Sequence, residues 1–219
     1  MADIIDTHTH KRDREDISII NISLTEPLQN LPKYFSAGIH PWHINKVSIT
    51  ELQTLLSLFS TLNGLVAIGE AGIDKLITTD LQLQTDIFRK QAIIADQLNL
   101  PLIIHCVKAQ QEIIAVKKEI KPKNTWIVHG FRGKKEQAKQ LIKAGIMMSF
   151  GLFYNEEAIK CVSDDNLLIE TDDCDTDIMS IAEKVAQSRG VDKEHIISTV
   201  SSNIKRLFLN TNDCKLYKE

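Results

Sequence analysis

The sequence predicts an α/β fold of the TIM type, in which parallel strands alternate with helices around a (β/α) barrel. Short runs rich in Ile, Leu and Val alternate with longer segments of helical period, and this pattern is typical of βα units around a parallel sheet. The runs number eight, which is the number of strands that closes such a barrel. They are predicted at residues 3–8, 17–22, 34–40, 65–70, 102–105, 125–129, 146–150 and 167–171.

Helices are predicted between the strands. Ser48 and Glu51 have the spacing of a capping box, so a helix is expected to begin there. Other helices are predicted at residues 79–98, 109–120, 134–144, 156–162, 177–189 and 193–209. The first of these has apolar residues near every third or fourth position, which indicates one buried face: Leu83, Ile87, Ala92, Ala95 and Leu98.

The first two connections between strands are short. Residues 9–16 are too few for a parallel crossover helix, and residues 23–33 contain Pro27 and Pro32, which interrupt a helix. The barrel is therefore predicted to have shortened or missing helices in its first two crossovers. The alternative is that the second predicted strand is wrong and the early part of the chain is irregular.

Composition and charge restrict the class of protein. The 219 residues are 43% hydrophobic and 25% charged, without linkers or repeats, so residues 1–219 are predicted to form a single domain. The 26 Lys and Arg against 29 Asp and Glu give a net charge of −3, which argues against a uniformly basic surface. No apolar run reaches the roughly 18 residues of a membrane span. The four cysteines are scattered, as expected of a reduced, cytoplasmic protein.

Side chains that can bind metal follow several of the predicted strands. His8 and His10 are two positions apart in an extended segment, so both imidazoles are expected on one side. The carboxyl ends of barrel strands lie on one rim, where active sites of this architecture are built. The other strand ends carry Glu70, His105, His129 and Asp172.

These six residues predict a metal centre. Nitrogen and carboxylate ligands without cysteine suit Zn²⁺, Mn²⁺, Fe or a similar divalent ion. Six ligands are too many for one open site, so two ions about 3.5–4 Å apart are expected, with Glu70 as the bridging carboxylate. Asp172 can orient the attacking water or accept its proton. The sequence thus predicts hydrolysis by a metal-activated water, with Asp172 and Glu70 as catalytic residues.

The chain resembles the TatD-like metal-dependent hydrolases, a branch of the amidohydrolase-type barrels. The resemblance covers nearly the whole chain in family order. It is carried by Asp6-Thr7-His8-Thr9-His10, Gly38-Ile39-His40-Pro41, Ala67-Ile68-Gly69-Glu70-Ala71-Gly72-Ile73-Asp74, Pro101-Leu102-Ile103-Ile104-His105-Cys106, Val128-His129-Gly130-Phe131-Arg132-Gly133, Leu168-Ile169-Glu170-Thr171-Asp172 and Asn203-Ile204-Lys205-Arg206-Leu207-Phe208.

The resemblance implies a deoxyribonuclease, exonuclease-like in action, with two divalent ions (Mg²⁺, Mn²⁺ or Zn²⁺) and DNA or nucleotides as substrate. One ion would be held by His8, His10 and Asp172. The other would be held by His105 and His129, with Glu70 bridging the two. His40 would contact the substrate phosphate or the attacking water. A monomer is compatible with the sequence, which specifies no oligomeric state.

The chain departs from the family after Asp172, where a loop over the active site is shortened. The extra acids Asp173, Asp175 and Asp177 would repel a nearby phosphate. Lys108 and Arg132 follow motif residues and are predicted to contact phosphate, although solvated side chains would have the same pattern. Trp42 could stack on a base or lie buried at the rim.

Two alternatives to the nuclease remain open. The shortened loop and the acidic pI of about 6.2 are also compatible with hydrolysis of a small amide, lactone or phosphomonoester. A degenerate barrel that binds metal without turnover is the other alternative, although its ligand set is intact.

Overall fold

The computed structural model describes residues 4–24, 30–46, 54, 61 and 64–209. Its eight strands are β1 (Asp6–Thr9), β2 (Ser18–Ser23), β3 (Phe35–Gly38), β4 (Leu65–Asp74), β5 (Leu102–Val107), β6 (Trp126–Val128), β7 (Ile146–Phe150) and β8 (Leu167–Ile169). They follow one another in the sheet in chain order. Parallel pairing joins β1 to β2, β3 to β4, β4 to β5 and β7 to β8. The predicted TIM-type α/β fold is confirmed.

Helices follow the later strands. They are α1 (Leu81–Gln97), α2 (Gln110–Ile120), α3 (Lys135–Lys143), α4 (Glu156–Ile159), α5 (Ile178–Arg189) and α6 (Lys193–Ile204). The last helix continues as a π-helical turn over Lys205–Leu209. Within the described residues, none of the helices is long and apolar enough to cross a bilayer.

The early part of the chain has the short connections that were predicted. A single 3₁₀ turn, Arg12–Arg14, connects β1 to β2, and β2 confirms the second predicted strand. Another 3₁₀ segment, Pro41–Lys46, follows β3. Residues 25–29 of the second crossover, and most of the helix predicted after Ser48, lie outside the described residues.

Most strand ends differ from the prediction by one or two residues, and the ends of β4 and β8 change where site residues lie. β4 continues four residues beyond Glu70, because its last residues pair with β5 as far as Asp74 with Val107. β8 ends at Ile169, before the polar residues that follow it. Glu70 therefore lies within a strand and not at its end.

The chain forms two compact units. The first unit consists of residues 1–20 and 127–219, and its core includes the fully buried Phe150 and Phe208. A parallel bridge between Thr9 and Asp172 joins β1 to the residues that follow β8. The strand carrying His8 is thereby fixed beside the segment carrying Asp172.

The second unit consists of residues 21–126. Phe88 of α1 packs edge-to-face on Trp126, with ring centroids 5.4 Å apart. The predicted apolar face of α1 is partly wrong, because Leu83 is 36% exposed while Gln84 and Gln91 are buried. Both glutamines are buried because they hydrogen-bond backbone groups at or directly after strand ends: Gln84 at Asp74 and Gln91 at Ile39.

Candidate metal centres

The first unit brings three predicted ligands together. The Nε2 atoms of His8 and His10 lie 3.8 and 3.6 Å from the same oxygen, Asp172 Oδ1. The two imidazole rings have centroids 5.1 Å apart, so the expected placement of both on one side is confirmed. His129 lies against His8 with ring centroids 4.4 Å apart. With Glu170, these residues form what we call the Asp172 cluster.

The backbone around Asp172 fixes the position of its carboxylate. Asp172 has a φ of 53°, a left-handed conformation that Asp tolerates better than most residues. Its amide donates to the carbonyl of His8 at 2.9 Å, and its own carbonyl accepts from the hydroxyl of Thr9 at 2.9 Å. These bonds tie the carboxylate-bearing segment to the histidine-bearing strand.

Asp6 is a second link between these segments. Its Oδ1 accepts hydrogen bonds from the amides of His8 and Thr171, at 3.3 and 3.1 Å. Its Oδ2 accepts from the Thr171 hydroxyl at 2.6 Å. Burial raises the pKa of Asp6 to about 7, against the opposing effect of the hydrogen bonds from Thr171.

Glu170 orients His129 within the Asp172 cluster. Glu170 is fully buried, and its Oε1 lies 3.3 Å from His129 Nδ1. Burial alone would raise the pKa of Glu170, but His129 and His8 lower it below its usual value. A carboxylate at Nδ1 fixes the proton on that nitrogen and leaves Nε2 as the basic, ligand-donating atom.

The second unit brings together Glu70, His105 and His40, which with Asp74 form what we call the Glu70 cluster. Glu70 Oε1 lies 2.7 Å from His105 Nδ1 and 3.2 Å from His40 Nε2. The other nitrogen of His105 lies 3.4 Å from Asp74 Oδ2. Glu70 and Asp74 are both buried.

Hydrogen bonds from residues outside the Glu70 cluster fix the positions of its members. Asn21 Oδ1 accepts the amide of Glu70 at 2.7 Å. Trp42 Nε1 donates to Asp74 Oδ2 at 2.9 Å. Burial would raise the pKa of Asp74, but hydrogen bonds from Trp42, the Leu76 amide and His105 together lower it. Asp74 therefore stays ionised and can accept a hydrogen bond from His105 Nε2.

Gly72 allows β4 and β5 to approach at this point. A Cβ at position 72 would lie 1.9 Å from the carbonyl oxygen of His105, its partner in the strand pairing. No other residue type fits without moving the strand that carries His105.

The donor sets of both clusters fit a divalent cation. The ligand atoms of His8, His10 and Asp172 lie within 4.8 Å of one another, as do those of His40, Glu70 and His105. Two ligands of a tetrahedral ion at about 2.1 Å are about 3.4 Å apart. The His–Asp172 distances are too long for hydrogen bonds but close to this ligand separation. Imidazole and carboxylate donors are those that Zn²⁺ and Mn²⁺ accept.

The loop after β8 is neutralised in part. Asp175 pairs with Lys11, and Asp177 caps α5 by accepting the amide of Met179. The guanidinium of Arg14 donates to the backbone carbonyls of Cys174, Asp175 and Thr176. All three acids of this loop, Asp173, Asp175 and Asp177, are exposed. The Lys11 pair reduces the predicted repulsion of phosphate by Asp175.

The predicted substrate contacts lie at the surface. Lys108 is exposed directly after β5. Arg132 is also exposed, and its guanidinium carbon lies 5.5 Å from the centre of the Phe153 ring. Trp42 is 61% exposed, so its ring is open to solvent and is not buried at the rim. The roles of these residues stay predictions.

Three carboxylates in or beside the clusters were assigned no role from the sequence: Asp6, Asp74 and Glu170. A signal for them exists in the two-residue period of a strand, since each is an even number of positions from a predicted ligand. Asn21, which accepts from Glu70, has no such signal, because its contact joins different strands. The sharing of one ion by His105 and His129 stays a prediction, as does the bridging role of Glu70.

Comparison with known proteins identifies the family of the chain. The family model described as TatD related DNase matches residues 16–209. The chain is 31% identical over 199 residues to the metal-dependent hydrolase YabD of Bacillus subtilis, covering 80% of this chain and 77% of that one. It is 27% identical over 200 residues to the 3'-5' ssDNA/RNA exonuclease TatD of Erwinia tasmaniensis, covering 79% and 77%.

A solved structure supports the fold. The crystal structure of YjjV, a TatD homologue from Escherichia coli K12, superimposes with a TM-score of 0.79 at 22% identity, covering 94% of this chain and 97% of that chain. The chain belongs to the TatD related DNase family, and it is a metal-dependent hydrolase.

Proposed function

We propose that the protein is a metal-dependent deoxyribonuclease that hydrolyses phosphodiester bonds and acts as an exonuclease. The observation that carries the proposal is the grouping of His8, His10 and Asp172 in a chain of the TatD related DNase family. The relative from Erwinia tasmaniensis is named a 3'-5' ssDNA/RNA exonuclease, which supports single-stranded DNA as the substrate.

Two divalent ions, Mg²⁺, Mn²⁺ or Zn²⁺, are proposed, one at each cluster. His8, His10 and Asp172 would hold the first, and His129, which lies against His8, would be a further ligand through Nε2. Glu70 and His105 would hold the second, and Asp74 would accept a hydrogen bond from His105 Nε2. When bound, such ions acidify water and polarise a phosphoryl oxygen.

Asp172 is the proposed proton acceptor for the attacking water. Its side chain is 30% exposed, whereas Glu170 and His8 are buried. Of these three residues, Asp172 can therefore contact both a ligand set and solvent water. Accepting that proton in the transition state accelerates hydrolysis by about 100- to 10,000-fold.

His40 is proposed as a hydrogen-bond donor to the phosphate. Its Nδ1 accepts the amide of Trp42 at 3.1 Å, so the proton of the neutral ring is on Nε2. That nitrogen faces Glu70 and His105, where it can donate to a substrate oxygen. A protonated Nε2 does not ligate metal, which favours the phosphate-contact role over a ligand role.

Lys108 and Arg132 are proposed as further phosphate contacts, because both are exposed basic residues close in sequence to cluster residues. Lys75 and Lys135, which also follow motif residues, are less available because Lys75 pairs with Glu112 and Lys135 with Glu157. A cytoplasmic location is also proposed, because the four cysteines are scattered along the sequence without the spacing of a disulfide framework.

Degradation of 5′-labelled single-stranded DNA with Mg²⁺ or Mn²⁺ tests the proposal. An exonuclease acting from the 3′ end shortens the label-bearing strand stepwise, whereas an endonuclease releases internal fragments. Asp172→Asn is expected to reduce the rate about 100- to 10,000-fold, and Asp165→Asn, an exposed acid outside both clusters, is the matched control. Metal-loaded protein that cleaves no DNA would reject the nuclease. Turnover of an amide, lactone or phosphomonoester instead would indicate the alternative hydrolases.

A further inference from the structure

A cavity in the first unit lies next to Asp172. Its volume is about 200 Å³, and its lining includes Arg132, Leu152, Phe153, Asp172 and Cys174. Pockets for drug-sized ligands are larger, at about 300–1,000 Å³. The cavity therefore suits a single ring system and not several nucleotides.

Phe153 forms an exposed wall of this cavity. It is 63% exposed, although Arg132 lies over part of its ring. Its neighbours in the chain are anchored, because the Lys184 ammonium donates to the Leu152 carbonyl at 2.7 Å and the Tyr154 hydroxyl bonds that of Ser188 at 2.9 Å. Phe153 is thus an aromatic face held in place and open to solvent.

The basic side chain of the cavity is Arg132, and the lining also carries the carboxylates of Glu170, Asp172 and Asp173. In the described part of the chain no carboxylate pairs with the Arg132 guanidinium, so its donors can reach an anion. Guanidinium groups bind phosphate with two parallel hydrogen bonds. An aromatic ring and an arginine side by side are the groups that hold a base and its phosphate in single-stranded nucleic acid.

We propose that this cavity binds the base of one nucleotide, stacked on Phe153, with Arg132 contacting the phosphate of the same nucleotide. The inference rests on the proposed function and adds to it a base subsite next to Asp172. Because stacking is possible with any base, the subsite would accept all four and contribute affinity without sequence preference.

Calorimetric titration of the full chain in Mg²⁺ buffer tests the subsite without requiring turnover. The probes are deoxyadenosine monophosphate and 2-deoxyribose 5-phosphate, which lacks the base. Wild type is expected to bind the nucleotide about 5- to 150-fold more tightly than the sugar phosphate, the range of one stacked base. Phe153→Ala is expected to abolish this ratio, and Phe153→Trp to preserve it.

Three further variants separate stacking from other effects. Phe153→Leu keeps an apolar side chain without an aromatic face. It is therefore expected to lose the preference for the nucleotide over the sugar phosphate, as Phe153→Ala does. Arg132→Gln is expected to weaken both probes equally, because it acts on the phosphate. Ile142→Ala, which removes an exposed apolar side chain outside the cavity, is expected to match wild type.

The inference is overturned if wild type binds both probes equally, or if Phe153→Ala retains the wild-type ratio. A preserved ratio in Phe153→Leu would also overturn it, since contact with any apolar group would then suffice. Binding of the nucleotide as expected, together with failure to cleave DNA, would support the subsite and reject the nuclease. The two proposals therefore fail separately.

Discussion

Asp6 and Thr171 are 165 positions apart in the chain, yet the Thr171 hydroxyl donates to Asp6 Oδ2 at 2.6 Å. This contact joins the strand that carries His8 and His10 to the residue next to Asp172. The same carboxylate accepts the amides of His8 and Thr171. Asp6 is buried and is not itself a predicted ligand. It nevertheless determines the spacing of the predicted ligands His8, His10 and Asp172.

Asp6→Ala is expected to lower the free energy of unfolding by about 1–3 kcal/mol, because two buried amides lose their acceptor. It should also weaken metal binding, since the histidine and aspartate segments are no longer joined. Asp6→Asn keeps an acceptor oxygen and is expected to restore most of both properties. Urea denaturation and calorimetric metal titration measure the two effects. Loss of stability in Asp6→Ala with unchanged metal affinity would show that Asp6 is only structural.

Glu170→Gln is expected to reduce metal affinity about 10- to 100-fold, as is typical when the carboxylate partner of a ligating histidine is altered. The reason is that an amide holds the proton on His129 Nδ1 less firmly than a carboxylate does. Titration with Mn²⁺ measures this affinity, and Glu136→Gln, an exposed residue of α3, is the control. Wild-type affinity in Glu170→Gln would mean that His129 is not a ligand through Nε2.

The strands could be predicted from the sequence because the core strands of a parallel sheet are buried on both faces and are continuous apolar runs. The end of β4 could not, since Gly72 and Asp74 belong to the strand only through their pairing with His105 and Val107. The buried face of α1 was predicted from apolar residues alone. Gln84 and Gln91 lie on it because backbone groups of other segments satisfy their amides.

The candidate ligands could be predicted in part, where their placement depends on local sequence. His8 and His10 share a side because of the strand period, which is a local property. The contacts that position the ligands are long-range: Asp6 with Thr171, Asn21 with Glu70, and Trp42 with Asp74. Each depends on which strands become neighbours, and no local pattern in the sequence contains that information.

Lys117 gives a pH-dependent prediction outside the clusters. Burial lowers its pKa to about 8 from the usual 10.5, and its ammonium lies 5.2 Å from the centre of the Trp126 ring. Between pH 8 and pH 10.5 the unfolded chain keeps a proton on Lys117 that the folded chain has released. The free energy of unfolding therefore increases as the pH rises through this range. Lys117→Met is expected to lack this gain and to be more stable than wild type at pH 7.

Thermal unfolding of both proteins from pH 7 to pH 10.5 checks this prediction. The difference in stability between wild type and Lys117→Met should shift in favour of wild type as the pH rises above 8. Lys118→Met, which alters an exposed neighbour on α2, should follow the wild-type curve. A difference between wild type and Lys117→Met that is constant across this range would contradict the lowered pKa.

Anomalous diffraction from crystals soaked in Mn²⁺ tests the proposed metal centres most directly. We expect one peak within about 2.0–2.5 Å of ligand atoms from His8, His10 and Asp172, and a second at the same distance from Glu70 and His105. Peaks at other side chains, in crystals of a preparation that degrades DNA, would contradict both the ligand assignment and the roles of Asp172 and Glu70 derived from it.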